Sequence, residues 1–212
     1  MYTPRAFVET DLAALDGLIA HDPFVTVVTL AEGVPEASHL PVLYRRDGEA
    51  VVLEGHWARP NPQASGGPAL VIVQGPHAYV SASWYPDKAQ AARVPTWNYA
   101  TAHLHGRLEP FHDEEALADL VDRLSRHFEA RAGGDWRFDP ADPRERSQLR
   151  GIVGFRFVAE RIEMKFKLSQ NHPAANVAAV IAALERQDTD QTRATAALMR
   201  DRTAATVQGA EG

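Results

Sequence analysis

Between Arg161 and Leu168 the chain alternates without a slip: Ile162, Met164, Phe166 and Leu168 are apolar, and Arg161, Glu163, Lys165 and Lys167 are charged. Successive side chains of a strand point to opposite faces, so this period specifies extended backbone with one face on a core and the other turned away. Phe24 to Leu30, FVTVVTL, reads as another strand from its β-branched residues. A second extended run ending at Tyr44 follows the turn-like AEGVP, and Asp47-Gly48 supplies a hairpin turn before AVVLEGH. ALVIVQ (Ala69 to Gln74) reads as a strand ended by Gly75-Pro76, and a further extended segment runs from Thr96 to about Leu108.

Helical spacing is confined to a few places. Leu12, Leu15, Leu18 and Ile19 predict a short first helix capped by Thr10. Leu117, Leu120, Val121, Leu124 and Phe128 form the stripe of a helix over Asp113 to Ala130. Val177, Val180, Ile181 and Leu184 predict another, Thr192 to Arg202 gives a weaker one, and the terminal QGAEG reads as frayed. DPADPRER reads as irregular. About six strands and three or four helices, with no repeat and no strand–helix alternation, predict an α+β chain dominated by an antiparallel β-barrel with peripheral helices.

Composition narrows the chemistry. Cysteine is absent, which removes disulfides, thiolate nucleophiles and sulfur-ligated metals. Lys plus Arg number 22 against 28 Asp plus Glu, a net charge of -6 that repels a phosphate backbone at long range and argues against direct DNA binding. The best amphipathic helix opens on Asp113, Glu114 and Glu115, an end that phosphate would reject, and no helix-turn-helix is recognisable. No basic leader or long apolar run appears, so the expected location is the cytoplasm, with no membrane partner.

Four segments are polar or aromatic where a barrel would be bland. GHWARPNPQ (Gly55 to Gln63) offers His56, Arg59 and Asn61 at a strand end, where a guanidinium fork and backbone N–H groups suit a phosphate; a solvated surface loop is the other reading of the same residues. SASWYPDK and VPTWNY gather Trp84, Tyr85, Trp97 and Tyr99, suited either to a planar heteroaromatic ligand or to packing in a core or interface. In MKFKLSQN, Lys165 and Lys167 precede Ser169, Gln170 and Asn171, a cationic and amide-rich strand end that solvated lysines would also explain. The fourth segment is ASHLP, Ala37 to Pro41. His103 and His105 share a strand face and could meet a metal or a haem edge, but a structural site needs three or four ligands and no metal is expected.

Taken in order, MYTPRAFVETDL, ASHLP, GHWARPNPQ, GPHAYVSASWYPDK, VPTWNYATAHLHG and KFKLSQN resemble the PaiB family, FMN-binding negative transcriptional regulators, to about residue 185. Pro60 departs from the family's A-R-A-N-P stretch and removes one N–H; Ala82 stands where Pro is common. The resemblance implies an FMN-binding split β-barrel, like that of pyridoxamine phosphate oxidases, over residues 1–172, a helical extension over 173–212, and a homodimer with FMN at the subunit interface. By likeness His56, Arg59 and Asn61 hold the phosphate, and His39, Leu40 and Pro41 line the ring and ribityl chain. Trp97, Asn98, Tyr99, Lys165, Gln170 and Asn171 complete the pocket. The implied function is regulation acting indirectly through flavin binding or redox state. An FMN-dependent oxidoreductase of a small molecule and a haem-binding split barrel are the alternatives.

Overall fold

A computed structural model describes residues 1–208, with side chains described to residue 204; residues 209–212, on which the expected fraying of QGAEG largely falls, lie outside the described residues. The strands are β1 (Val8–Glu9), β2 (Phe24–Ala31), β3 (Val34–Pro41), β4 (Leu43–Asp47), β5 (Ala50–Ala58), β6 (Gly67–Val80), β7 (Thr96–Phe111) and β8 (Ile152–Lys167). They form one antiparallel sheet in the order β3-β2-β6-β7-β8-β5-β4, with β1 paired to β8. The helices are α1 (Leu12–His21), α2 (Glu114–Ala132), α3 (Pro143–Gln148), α4 (Ala174–Gln187) and α5 (Asp190–Gln208).

The hairpins follow from backbone sterics. Glu32 and Gly33 both take positive φ (50° and 82°) between the paired Ala31 and Val34, the two-residue turn that matches strand twist. Gly48, at φ 58°, does the same office between β4 and β5. The extended run expected to end at Tyr44 is two strands: it breaks at Val42, whose N–H donates to Pro23 O at 3.1 Å.

Four local expectations are corrected. Helix α1 starts after Asp11, not Thr10: Asp11 Oδ1 accepts from Ala13 N at 2.9 Å, while Glu9 Oε1 takes the N–H groups of Thr10 and Asp11. Strand β6 does not stop at Gly75-Pro76 but continues to Val80. Gly75 is there because a Cβ would meet Leu18 Cδ2 at 2.5 Å and Ala100 O at 2.9 Å, so the glycine marks a close approach and not an end. Strand β7 continues past Leu108 to Phe111. DPADPRER holds α3, with Asp142 capping Arg144 N and Pro143 in the first turn, where its missing N–H costs nothing.

The chain divides into two compact units. One comprises Ile19–Val73 and His103–Ile162. Here β5 pairs with β8 from Val52↔Val158 to Ala58↔Ile152, and Trp57 packs on Phe155 with ring centroids 4.4 Å apart. Leu117 and Ala118 of α2 close on Phe138 and Leu149. Asp113 caps α2 and Gly133, at φ 74°, ends it. The other unit comprises Met1–Leu18, Gln74–Ala102 and the chain from Glu163 onward. It contains α1's first turns, β1 on β8, and α4 packed against α5 around Val180, Leu184, Ala196 and Met199.

In the first of these units β7 and β8 approach so closely that Gly106 has no room for a methyl group: its Cβ would lie 2.0 Å from Val158 O. Gly106→Ala is therefore expected to destabilise the protein by about 2–3 kcal/mol. Gly151→Ala, with nothing within 4 Å of the added carbon, should stay within about 0.5 kcal/mol of the parent, with urea titration of both variants as the measurement.

Candidate functional site

In the unit formed by 19–73 and 103–162, the strand end after β5 is a rigid loop. Asn61 Oδ1 accepts from Gln63 N at 2.9 Å, opening a single 3-10 turn over Pro62–Ser65, and Asn61 Nδ2 donates to Ser38 Oγ at 2.9 Å. Gln63 is 4% exposed and its Nε2 donates to Val27 O, Thr29 Oγ1 and Glu36 O. One amide thus ties the loop to both β2 and β3. Among the described residues Gln63 Oε1 is buried without a partner, a polar atom whose desolvation is uncompensated.

The three residues expected to grip a phosphate have three different surroundings. Arg59 is exposed, but Nε donates to Arg150 O at 2.6 Å and Nη2 to Ile152 O at 3.0 Å, and Nη1 lies 3.5 Å from His112 Nδ1. His56 lines a cavity of about 220 Å³ with Trp136, Phe138, Gln148 and Ile152. Burial pushes its imidazole below the ordinary histidine value, and its Nδ1 is enclosed with no partner among the described residues. Asn61 is half-buried on Ser38. On β3, His39 is exposed, stacks on Phe24 at 6.4 Å and meets Thr26 Oγ1 through Nδ1 at 3.0 Å; Leu40 is half-buried and Pro41 exposed.

In the other unit, Trp97 is 52% exposed and forms an aromatic group with Tyr79 and His77, each 6.1 Å away between ring centroids. Asn98 is fully buried: Nδ2 donates to Ser169 Oγ at 2.9 Å and approaches Met199 Sδ at 3.3 Å. Lys165 Nζ stands 5.4 Å from the Tyr99 ring centre, a cation–π arrangement, and donates to Tyr2 O. Gln170 is structural in form, receiving Leu168 N and donating to Ala6 O and Phe166 O. Asn171 is exposed at the mouth of a cavity of about 230 Å³ that Asn98, Lys167, Ser169, His172 and Arg93 also line.

Sequence reasoning names Tyr85, Lys167 and Ser169 but passes over the partners Asp87, Arg93, His172 and Asn176. Tyr85 and His172 stack with parallel rings, 4.9 Å apart and 2° between planes. Arg93 lies 5.9 Å from the Tyr85 ring and holds Asp87 in a two-pronged pair, while Asn176 donates to the same carboxylate. That pairing, with Arg93 the larger influence and Asn176 adding to it, brings the Asp87 carboxyl down to about 2. Burial, and then the neighbouring Lys165 charge, pushes the Lys167 ammonium down. Ser169 holds a left-handed φ of 62°, unusual for a residue with a side chain. For Asp87 and Arg93 the sequence signal is the breaker-flanked stretch WYPDKAQAARVP, which reads as a connection.

With that geometry in hand, likeness to known proteins is informative. The model of a family described as "Putative FMN-binding domain" matches residues 1–161. Protease synthase and sporulation protein PAI 2 of Bacillus subtilis is 34% identical over 207 residues, 95% of this chain and 98% of that one. An uncharacterised protein of Emericella nidulans is 27% identical over 244 residues, 95% and 97% of the two chains. Among solved structures, the flavocytochrome Anf3 of Azotobacter vinelandii superposes with a TM-score of 0.56 at 18% identity over 78% of this chain and 72% of that one. An FAD and heme binding protein of Mycobacterium smegmatis does so with 0.54 at 21% over 76% and 73%. At those identities the likeness speaks to fold, and the fold is the split-barrel class of flavin proteins. No helix of the described residues is long and apolar enough to cross a membrane.

The Asp87–Arg93 pair sets a pH dependence. Its carboxyl titrates lower folded than unfolded, so the stabilisation is complete above the unfolded value of 3.8 and is lost as pH falls toward about 2. Melting temperatures measured from neutral to acid pH should show Asp87→Asn below the parent at neutral pH, with the gap closing as the acid limit is approached.

Proposed function

Because the chain belongs to the FMN-binding domain family whose model spans residues 1–161, we propose that it is an FMN-binding protein of the PaiB type, acting on gene expression indirectly through the flavin it holds. The observation that carries the reading is the match itself, supported by 34% identity to the Bacillus subtilis relative along 95% of the chain.

The donor chemistry fits FMN. In the unit of β2 to β5, an exposed guanidinium and exposed imidazole, Arg59 and His39, accompany a loop fixed by Gln63. Pro60 cannot donate, and two of the Arg59 nitrogens are occupied by carbonyls, so phosphate recognition there rests on Arg59 Nη1 and its charge, with His56 and Asn61 as the other assigned holders. Leu40 and Pro41 are assigned to the ring and ribityl chain. In the other unit, Trp97 and Tyr99 offer flat surfaces, Lys165 a positive charge, and Asn98, Gln170 and Asn171 amides. FMN, when bound, supplies exchange of a hydride or of single electrons. The residues' part is to hold the phosphate, to face the ring with aromatic surface and to place a cation where negative charge collects.

The reading includes a homodimer with FMN at the subunit interface, residues 1–172 as the flavin domain, 173–212 as a helical extension, and a cytoplasmic location. The net charge of -6 favours regulation without direct DNA contact.

Titrating FMN into the purified protein should quench flavin fluorescence to a saturable endpoint, with the elution volume of a dimer; Arg59→Ala should weaken the affinity about tenfold or more. FMN that keeps its full free fluorescence would overturn the reading. A gel shift at physiological salt should give no specific retardation of upstream DNA, and clear retardation would overturn the indirect route.

A further inference from the structure

We infer that the cavity between the 91–98 segment and the 167–172 turn binds a small organic anion, carboxylate or phosphate, as a ligand separate from the flavin. The cavity holds about 230 Å³, below the range of drug-sized sites, so it suits a compact metabolite and not a dinucleotide. Arg93 and Lys167 both line it, and among the described residues no carboxylate does.

That charge arrangement is costly as it stands. Lys167 is partly desolvated, lies near Lys165, and has neutral partners in Thr96 Oγ1 and, at 2.7 Å, Trp97 O. Arg93 gives Nε and Nη2 to Asp87, and Nη1 has no hydrogen bond among the described residues. Arg93 already has a carboxylate partner in Asp87, whereas Lys167 loses hydration and gains only neutral ones; an oxyanion reaching Lys167 and Arg93 Nη1 reverses that balance. The scaffold is also pre-formed. Buried Ser169 is held in its left-handed conformation by reciprocal bonds with the amide of fully buried Asn98, 2.9 and 3.1 Å long, so the turn carrying Lys167 to His172 does not have to order on binding. Burial, and then the Arg93 charge, pushes the His172 imidazole below the ordinary value, and its stack on Tyr85 fixes the ring. Phe7 and Val94 give the apolar side that an organic ligand requires and a bare inorganic ion does not.

Asn98 and Asn171 are also assigned to FMN above, so the test separates the two ligands. Isothermal titration of the full chain with inorganic phosphate and with succinate, at constant ionic strength and with or without saturating FMN, should give saturable heat for at least one probe in both conditions. Lys167→Gln should weaken that probe about tenfold or more while flavin quenching keeps its midpoint, and Lys167→Arg should restore it. Asn171→Asp, an exposed change that places a like charge at the mouth, should weaken it comparably and serves if Lys167→Gln does not fold. Absence of heat from both probes, heat unchanged in the Lys167→Gln or Asn171→Asp protein, or displacement of the probe by FMN would each overturn the inference. A failure of flavin quenching alone would strike the FMN reading and leave this one standing.

Discussion

The unit of β2 to β5 depends on how near β7 and β8 can come to each other. Gly106 lies where any side chain would strike Val158 O, and Gly154 sits where a Cβ would be 2.3 Å from the Phe111 ring. Two glycines on two strands, each facing the other strand, fix the register, because a slip by one residue would bring a bulky side chain to the contact. From that pair β8 extends its other edge to β5, and the carbonyls of Arg150, Gly151 and Ile152 at the start of β8 receive the side chain and backbone of Arg59. The loop following β5 is therefore placed by a backbone contact that the loop itself does not make.

Amides do most of the fixing in both units. Gln63 and Gln170 each satisfy several backbone or hydroxyl groups at once, and Asn98 meets the Ser169 hydroxyl with both its nitrogen and its oxygen; an amide can do so because it donates and accepts without carrying a charge into a dry place. The charged groups stay near the surface in pairs. Arg146 bridges Glu114 and Glu115, and Arg123 bridges Glu54 and Asp119, arrangements whose contribution at such exposure is modest.

Much of the fold was legible because its signals are local. The alternation of Arg161 to Leu168 appears as the end of β8, the Leu117 to Leu124 stripe as the buried face of α2, and Asp47-Gly48 as a hairpin turn. Where local rules compete, reading failed: Asp11 outcompetes Thr10 as a cap, and Gly75-Pro76 looks like a stop until Leu18 and Ala100 are seen beside it. The candidate site was legible as a set of segments and not as contacts. GHWARPNPQ announces a polar strand end, but nothing in the string says that Arg59 turns to the carbonyls of residues 150 and 152, some ninety positions later, or that Asn61 reaches Ser38. The stack of Tyr85 on His172 is similarly invisible, since those rings are far apart in sequence.

The placement of the indoles has an optical consequence. Trp57 is 1% exposed against Phe155 in one unit, where Trp136 is 50% exposed, and Trp97 is 52% exposed in the other. A dry indole emits toward the blue and a wet one toward the red, so Trp57 marks the dry core of the unit of β2 to β5 apart from the half-exposed Trp97 and Trp136. Removing Trp84, Trp97 and Trp136 would leave that indole as the one emitter of its kind, and the opening of the core around it could then be timed without attaching a dye.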